Sequence, residues 1–459
     1  MAPDSDALTR LGRFVAEAAL VPDSQTLARL RDGVVDGLGC ILAGAESEAA
    51  RGARQAVALM EGQGRTPVLG TPFTAPRPQA ALLNAVAAHA LDFDDWEVPG
   101  NTHPTAVLLP AILAAVRPRT SGRAVAAAYL AGFEVIARVG QALTLVHYDR
   151  GWHATATLGA LGGAAAASRV RGLTGAQATA ALSFAVSRAA GYTCQFGSHA
   201  KALQAGFAAE TGVTAALLAE AGLRGQAHAL DHARGFACLM AGAEGSALDT
   251  ALSRMGDPLA LQEFGLALKA WPTCAYTHRV LAATIKLGPL APAEIARVQI
   301  QIPAAHAAIA HYHQPTSLPE ALFSLPFAAA MGLTTGGLRL SDLAAERWAA
   351  PELRALIALT EVHPFQAARP DRTYDAAEPD RVAVSLRNGA HLEAAVALPP
   401  GMPETPLSSE ALASKFRANA GLGEADPLTD LMAWTEAEDA PGLLARIGSE
   451  APKVAASPT

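Results

Sequence analysis

The sequence predicts a mostly α protein, with a large all-helical domain and a smaller α+β domain, and three observations carry that reading. Hydrophobic residues make up 51% of the 459 but aromatics only 5%, a balance that suits close-packed Ala/Leu helices better than an aromatic-rich β fold. Apolar residues keep helical spacing from the start of the chain to about residue 255. After Pro272 the pattern turns to alternating, strand-like runs. The length also exceeds the ~250–300 residues that one core usually serves, so more than one domain is expected.

Taken in order, Leu8, Leu11, Phe14, Val15 and Ala18 share one helical face, and Leu27, Leu30, Val34, Leu38, Ile41 and Leu42 form a second. Segments 76–91, 104–117, 123–143, 154–170, 174–190 and 202–222 read as helices separated by Gly- or Pro-bearing turns. A helix over 276–287 leads into Arg297–Ile302, where Val298, Ile300 and Ile302 alternate as in a half-buried strand. Arg381–Leu386 and His391–Leu398 flank Asn388-Gly389, a strong hairpin signal. Pro399-Pro400-Gly401 ends the sheet, and Ser408–Asn419, Leu428–Glu438 and Leu443–Ile447 read as helices that pack back on the first domain. The expected units are therefore 1–268, 269–399 and 400–459. The Pro/Ala/Ser tail after Glu450 is expected to be mobile.

Charge and composition exclude several functions. A formal net charge of -7 without any basic block argues against nucleic acid. No stretch supplies the ~20 strongly apolar residues of a membrane helix. Met1–Thr9 lacks the basic start and apolar run of a signal peptide, so the cytoplasm is the expected location. Cys40, Cys194, Cys238 and Cys274 lie far apart with no C-x-x-C pair, which reads as reduced thiols rather than zinc or iron–sulfur ligands.

Lysine is rare. Lys201, Lys269, Lys286, Lys415 and Lys453 stand against thirty arginines. A lysine retained in such a background is a candidate for a role that a planar guanidinium cannot fill; Lys286, Lys415 and Lys453 read instead as surface residues. Lys201 opens a helix, where its charge opposes the macrodipole unless an anion lies between them. His103 before Pro104, and His153 after Gly151-Trp152, each fall at a helix start, so three such ends could together form an anion pocket. The run His89-Ala-Leu-Asp-Phe-Asp-Asp95 puts Asp92 and Asp95 at i, i+3 on one helical face. That crowding fits metal binding with His103, general acid/base work, or helix-end solvation with a cap.

These residues resemble the MmgE/PrpD family, which includes 2-methylcitrate dehydratases, iminodisuccinate epimerases and cis-aconitate decarboxylases. The likeness rests on Asn84 to Asp95, His103-Pro104 with Leu108-Leu-Pro110, Gly151-Trp-His153 with Thr157-Leu-Gly159, and Phe196-Gly197 with Lys201. Lys269-Ala-Trp-Pro-Thr-Cys274 with Thr277-His278, Glu320 to Pro326, and Ser414-Lys-Phe416 extend it over nearly the whole chain. The resemblance implies an inserted α+β lid over a helical domain, a homodimer, a site between the domains, and no metal or organic cofactor. By motif position it makes Asp92, His103, His153, Lys201, Lys269, Cys274 and His278 candidate site residues. In that scheme His103 or His153 is the general base, Lys201 and Lys269 bind substrate carboxylates, Asp92 orients a histidine, and Cys274 moves a proton on the opposite face.

Departures bear on the substrate. Ala154 replaces a frequent proline, Gln204 a histidine, Leu322 a lysine, and Phe327 stands where tyrosine also occurs. The Asp92–His103 segment lacks the longer insert of dedicated 2-methylcitrate dehydratases, which places the chain nearer epimerase-like branches. The leading expectation is a cofactor-independent lyase, 2-methylcitrate dehydratase-like, that abstracts a proton next to a carboxylate of a small di- or tricarboxylate. An epimerase, a cis-aconitate-type decarboxylase and a non-catalytic carboxylate binder are the alternatives. A metalloenzyme built on Asp92, Asp94, Asp95 and His103 is a weaker one, since no H-x-x-x-H or H-x-H spacing supports it.

Overall fold

Helix starts follow local chemistry. Asp23 accepts from the Thr26 amide at the head of Ser24–Gly44, Ser121 caps Gly122–Asp149, and a Thr174/Gln177 capping box opens Gly175–Arg188. A computed structural model describes residues 6–242, 245–370, 372–422 and 427–450. The predicted tail lies outside them, as does Lys453.

The helical lobe stacks Arg77–His89, Pro104–Ala115, Gly122–Asp149, Ala154–Arg171 and His199–Glu220 around a core of Ala, Leu and Val. Small side chains let these helices approach closely. A Cβ on Gly212 would collide with the backbone of Gly163, and one on Gly44 would overlap the Ala87 carbonyl, so at both crossings main chain rests on main chain. Among the described residues one helix, His199–Glu220, has the length and apolarity of a membrane span; 67% of that window is buried inside the fold, which makes it a core helix.

The same core includes Leu412, Phe416, Leu431, Trp434 and Leu444 from the C-terminal helices. Ser409–Ala420 packs on Ser24–Gly44, with Phe416 and Asn419 against Gly39. The expected helix Leu428–Glu438 is shorter than predicted, a turn of α-helix over Leu428–Met432 followed by a 3₁₀ turn at Trp434–Glu436.

A second core forms around a mixed sheet. After a small ribbon of β1 (Thr66–Pro67) and β2 (Thr74–Ala75), the strands are β3 (Ile295–Pro303), β4 (Thr360–Phe365), β5 (Asp380–Leu386) and β6 (His391–Val396), in the order β4-β3-β5-β6. Val298, Ile300 and Ile302 are fully buried on one face of β3, as their alternation predicts, and the Asn388-Gly389 turn joins β5 to β6 with Gly389 at φ 88°. β4 pairs parallel to β3 and has no counterpart in the sequence reading. It is an edge strand carrying Pro364, which no central strand would tolerate and which hides its periodicity. Helix His278–Leu287 covers the sheet, and its buried Arg279 donates to the carbonyls of Val396, Asp375 and Glu378 beside Asp380.

The Gly44 crossing supports the helix that ends at His89. Gly44→Ala should lower unfolding stability by about 1–3 kcal/mol through overpacking, measured as a drop in the urea midpoint without a change in slope.

Candidate active site

Helix Arg77–His89 ends at His89, and the chain then turns through Asp92 at φ 50°, a left-handed conformation that Asp tolerates better than most residues. Asp92 and Asp95 therefore do not share a helical face as predicted. Each carboxylate of the run instead faces a different partner. Asp95 accepts from the amide (3.1 Å) and hydroxyl of Thr105, capping Pro104–Ala115. Asp94 Oδ2 lies 2.7 Å from His89 Nδ1 and 3.3 Å from His103 Nδ1. Asp92 Oδ1 receives Lys201 Nζ at 3.1 Å and Lys269 Nζ at 2.5 Å, and Lys269 also donates to the Asp92 carbonyl at 2.9 Å.

Two expected roles change accordingly. Asp94, not Asp92, meets the histidines. Lys269 gives two of its three ammonium protons to Asp92 and does not line the pocket. Lys201, at the third residue of His199–Glu220, finds the anion its position calls for in Asp92 and also donates to His89 Nε2 at 2.8 Å. Its ammonium lies 5.5 and 5.4 Å from the ring centres of Phe196 and Phe323.

One narrow pocket gathers Asp92, His103, His153, Lys201 and Cys274 of the predicted set, with Trp96, Asn101, Tyr148, Phe196, Tyr276, Ile309 and Phe323. Cys274, Tyr276, Ile309 and Phe323 come from the mixed lobe or the turn that enters it. The cavity measures about 30 Å³, room for a water molecule or two. His278 stands outside this lining, with its Nε2 3.3 Å from the Thr273 carbonyl and its ring edge-on to Trp271.

Hydrogen bonds fix the imidazoles. Gln204 Nε2 donates to the Tyr192 carbonyl at 3.2 Å, which turns Oε1 to His153 Nδ1 at 2.5 Å. Nδ1 of His153 then carries the proton, and buried Nε2 is left bare, with no partner. The Gln204 departure thus still supplies a hydrogen bond. Asp94 Oδ2 faces His103 Nδ1 at 3.3 Å but is not aligned for a hydrogen bond. Burial, aided by the Lys269 charge, outweighs Asp94 and pulls His103 down to about 4; burial and the Lys201 charge hold His153 well below its usual value. Burial and the Asp92 charge push the Cys274 thiol up to about 12, and burial next to Cys274 raises Tyr276 as well. Burial opposes ionisation of Asp92, yet the Lys201 and Lys269 charges win and hold it far below the carboxylate range. The site therefore sets bare bases beside groups kept protonated.

His89, Asp92, Asp94 and His103 present ligand atoms within 4.8 Å of one another, the spacing of a metal site. Both His89 nitrogens and Asp92 Oδ1 are already engaged by Asp94, Lys201 and Lys269, so a dication there would meet two ammonium groups.

Sequence reasoning passed over His89, Tyr148 and Tyr276 as site residues and considered Asp94 only as a metal ligand. His89 lay inside the quoted run, and tyrosine numbers only six in the chain, but no spacing pointed either toward a pocket. Lys415, read as a surface residue, is buried.

A mostly helical lobe joined to a mixed-sheet lobe thus sets carboxylates, lysines and histidines around a pocket to which both lobes contribute. The MmgE/PrpD N-terminal domain profile matches residues 9–248 and the C-terminal domain profile residues 271–428, and the chain belongs to the MmgE/PrpD family. The human cis-aconitate decarboxylase is 29% identical over 417 residues, covering 86% of this chain and 84% of that protein. The mouse enzyme of the same name is 29% identical over 412 residues (84% and 81%), and that of Aspergillus terreus 26% identical over 423 (87% and 86%).

The depressed histidine has a direct readout. In ¹⁵N-imidazole NMR, His103 should stay neutral from pH 8 to pH 5 and titrate near 4; a midpoint at 6 to 7 would contradict the burial described above.

Proposed function

We propose that the chain is a cofactor-independent lyase that decarboxylates a cis-aconitate-like tricarboxylate in this pocket, with residues 269–399 acting as a lid. The observation that carries the reading is the grouping of the Lys201 ammonium with protonated Cys274 and Tyr276 and with the bare imidazole nitrogens, in a chain whose curated relatives are named cis-aconitate decarboxylases. The sequence put dehydration first; the names of the relatives support placing decarboxylation ahead of it.

The chemistry balances with one proton taken up. The C–C bond to the carboxylate on the methylene carbon breaks and releases carbon dioxide, and its electron pair becomes the new terminal C=C bond. The original double-bond pair moves to the far vinyl carbon, which takes a proton. Lys201 offsets the charge that builds on the carboxylate next to that carbon, and closure that excludes water strengthens this effect. Cys274 or Tyr276, each still protonated at neutral pH, is the donor. The lid must lift to admit a substrate, since the narrow cavity holds no more than a water or two.

Dehydration is the second reading, and the bare Nε2 of His153 favours it, because a neutral imidazole next to an α-carbon is a ready base. Loss of hydroxide would follow, with a protonated neighbour releasing it as water. The homodimer belongs to the same proposal; sedimentation would give twice the 47.0 kDa chain mass.

The experiment is ¹H NMR of purified protein in deuterated buffer with cis-aconitate, 2-methylcitrate, citrate and iminodisuccinate supplied separately. The expected result is a pair of new terminal vinyl signals from cis-aconitate, with deuterium in the adjacent methylene and release of carbon dioxide. Collapse of the 2-methylcitrate methyl doublet to an allylic singlet, with cis-aconitate unchanged, would install the dehydratase reading, and exchange without net loss the epimerase. No change in any sample would remove both lyase readings.

Lys201→Met should reduce kcat/KM by about 10²–10³-fold, because an electrostatic partner of the developing charge is lost. A fall in kcat/KM on the acid side should come near pH 4, where His103 protonates, rather than between 6 and 7.

A further inference from the structure

The C-terminal helix Ser409–Ala420 sends Lys415 into the protein behind the pocket. Its Nζ donates to the Phe93 carbonyl at 2.8 Å and the Lys269 carbonyl at 2.9 Å, and pairs with Asp36 Oδ1 at 2.6 Å. Two ammonium protons thus go to main-chain carbonyls, Asp36 supplies the counter-charge without an aligned hydrogen bond, and the ammonium also lies 3.9 Å from the centre of the Phe93 ring. Both side chains of the Lys415–Asp36 pair are buried. Two of the acceptors are main-chain carbonyls of the segments that carry Asp92 and Lys269. Those two residues close on each other through Lys269 Nζ, and Asp92 is held at φ 50°.

We propose that Lys415, backed by Asp36, is a positioning residue that ties the Phe93 and Lys269 carbonyls together at the spacing at which Lys269 grips Asp92. The grip fixes the loop from Asp92 to Asp95, and with it Asp94 against His103 and Asp92 against Lys201. Lys415 touches neither the pocket nor substrate. A guanidinium cannot replace it, because its planar fork does not fit two carbonyls and a carboxylate gathered around one compact charge. The proposal rests on the functional reading only in taking this pocket as the site of chemistry.

The test compares Lys415→Arg and the double variant Asp36→Leu/Lys415→Met with wild type, the double change being chosen because replacing both members leaves no buried charge stranded. Arg138→Met, which removes a buried ion pair with Glu134 in the helical lobe away from the pocket, is the control for lost stability alone. Three quantities are read: Tm, kcat and KM on cis-aconitate, and the ¹⁵N titration midpoint of His103, which is faced by Asp94, His89 and Lys269. In both Lys415 variants kcat should fall about 10–100-fold with KM within threefold, the size of loss that a small misplacement of reacting groups produces. The His103 midpoint should rise from about 4 toward the ordinary value near 6.5 as the loop loosens and admits water. Arg138→Met should lower Tm and leave the midpoint in place. Wild-type kcat and midpoint in either Lys415 variant would overturn the proposal, as would a loss of kcat that only follows the unfolded fraction. If wild type turns over no carboxylate, the lyase reading fails by itself, and the His103 midpoint alone then decides the positioning role.

Discussion

A carboxylate cut off from water and shared by two ammonium groups is the constraint on which this architecture depends. Asp92, Lys201 and Lys269 have side chains exposed by 3%, 8% and 1%. Any one of them buried alone would cost several kcal/mol, and removing one from the assembled group leaves an uncompensated charge worth about 3–5 kcal/mol. The three come from a loop after helix Arg77–His89, from the first turn of His199–Glu220, and from the segment entering the mixed lobe. None of these segments can be buried in its native place until the others arrive, so charge balance, more than apolar area, sets how the two lobes meet. Asp94 repeats the device at smaller scale with His89 and His103.

Much of the fold was legible because its helices obey local rules. The predicted segment 154–170 is Ala154–Arg171 in the structure, ending at Gly172 with φ 70°, and 104–117 is Pro104–Ala115, opened by proline at its first position. The β5–β6 hairpin was legible from Asn388-Gly389. β4 was not, because it joins β3 through a parallel pairing some sixty residues distant and its own residues alternate weakly around Pro364. Pairing of that kind is a property of the assembled sheet, and no window of sequence contains it.

The pocket was legible as a set of residue types but not as a set of roles. His103 and His153 do stand at helix starts, since Pro104 and the small residues after His153 announce those helices. The error at Asp92 and Asp95 came from extending helical spacing past His89, where the positive φ of Asp92 ends it. Lys415 illustrates a different limit. From sequence a lysine on an amphipathic C-terminal helix is a solvated residue, and only contacts with Phe93 and Asp36, more than three hundred residues away, make it an internal cation. Composition did carry a trace of it, in that arginine had replaced lysine nearly everywhere else.

The return of the C-terminal helices to the first lobe also sets a schedule for biosynthesis. Phe416 fills the core beside Ser24–Gly44 and Trp434 the same core beside Gly122–Asp149, and Asp36 on Ser24–Gly44 receives its counterion from residue 415. A ribosome making this chain therefore displays an uncovered apolar groove with an unneutralised acid in it until residue 415 and the helices after it have been made. A chain that stops short of the last helices can neither close its core nor neutralise Asp36.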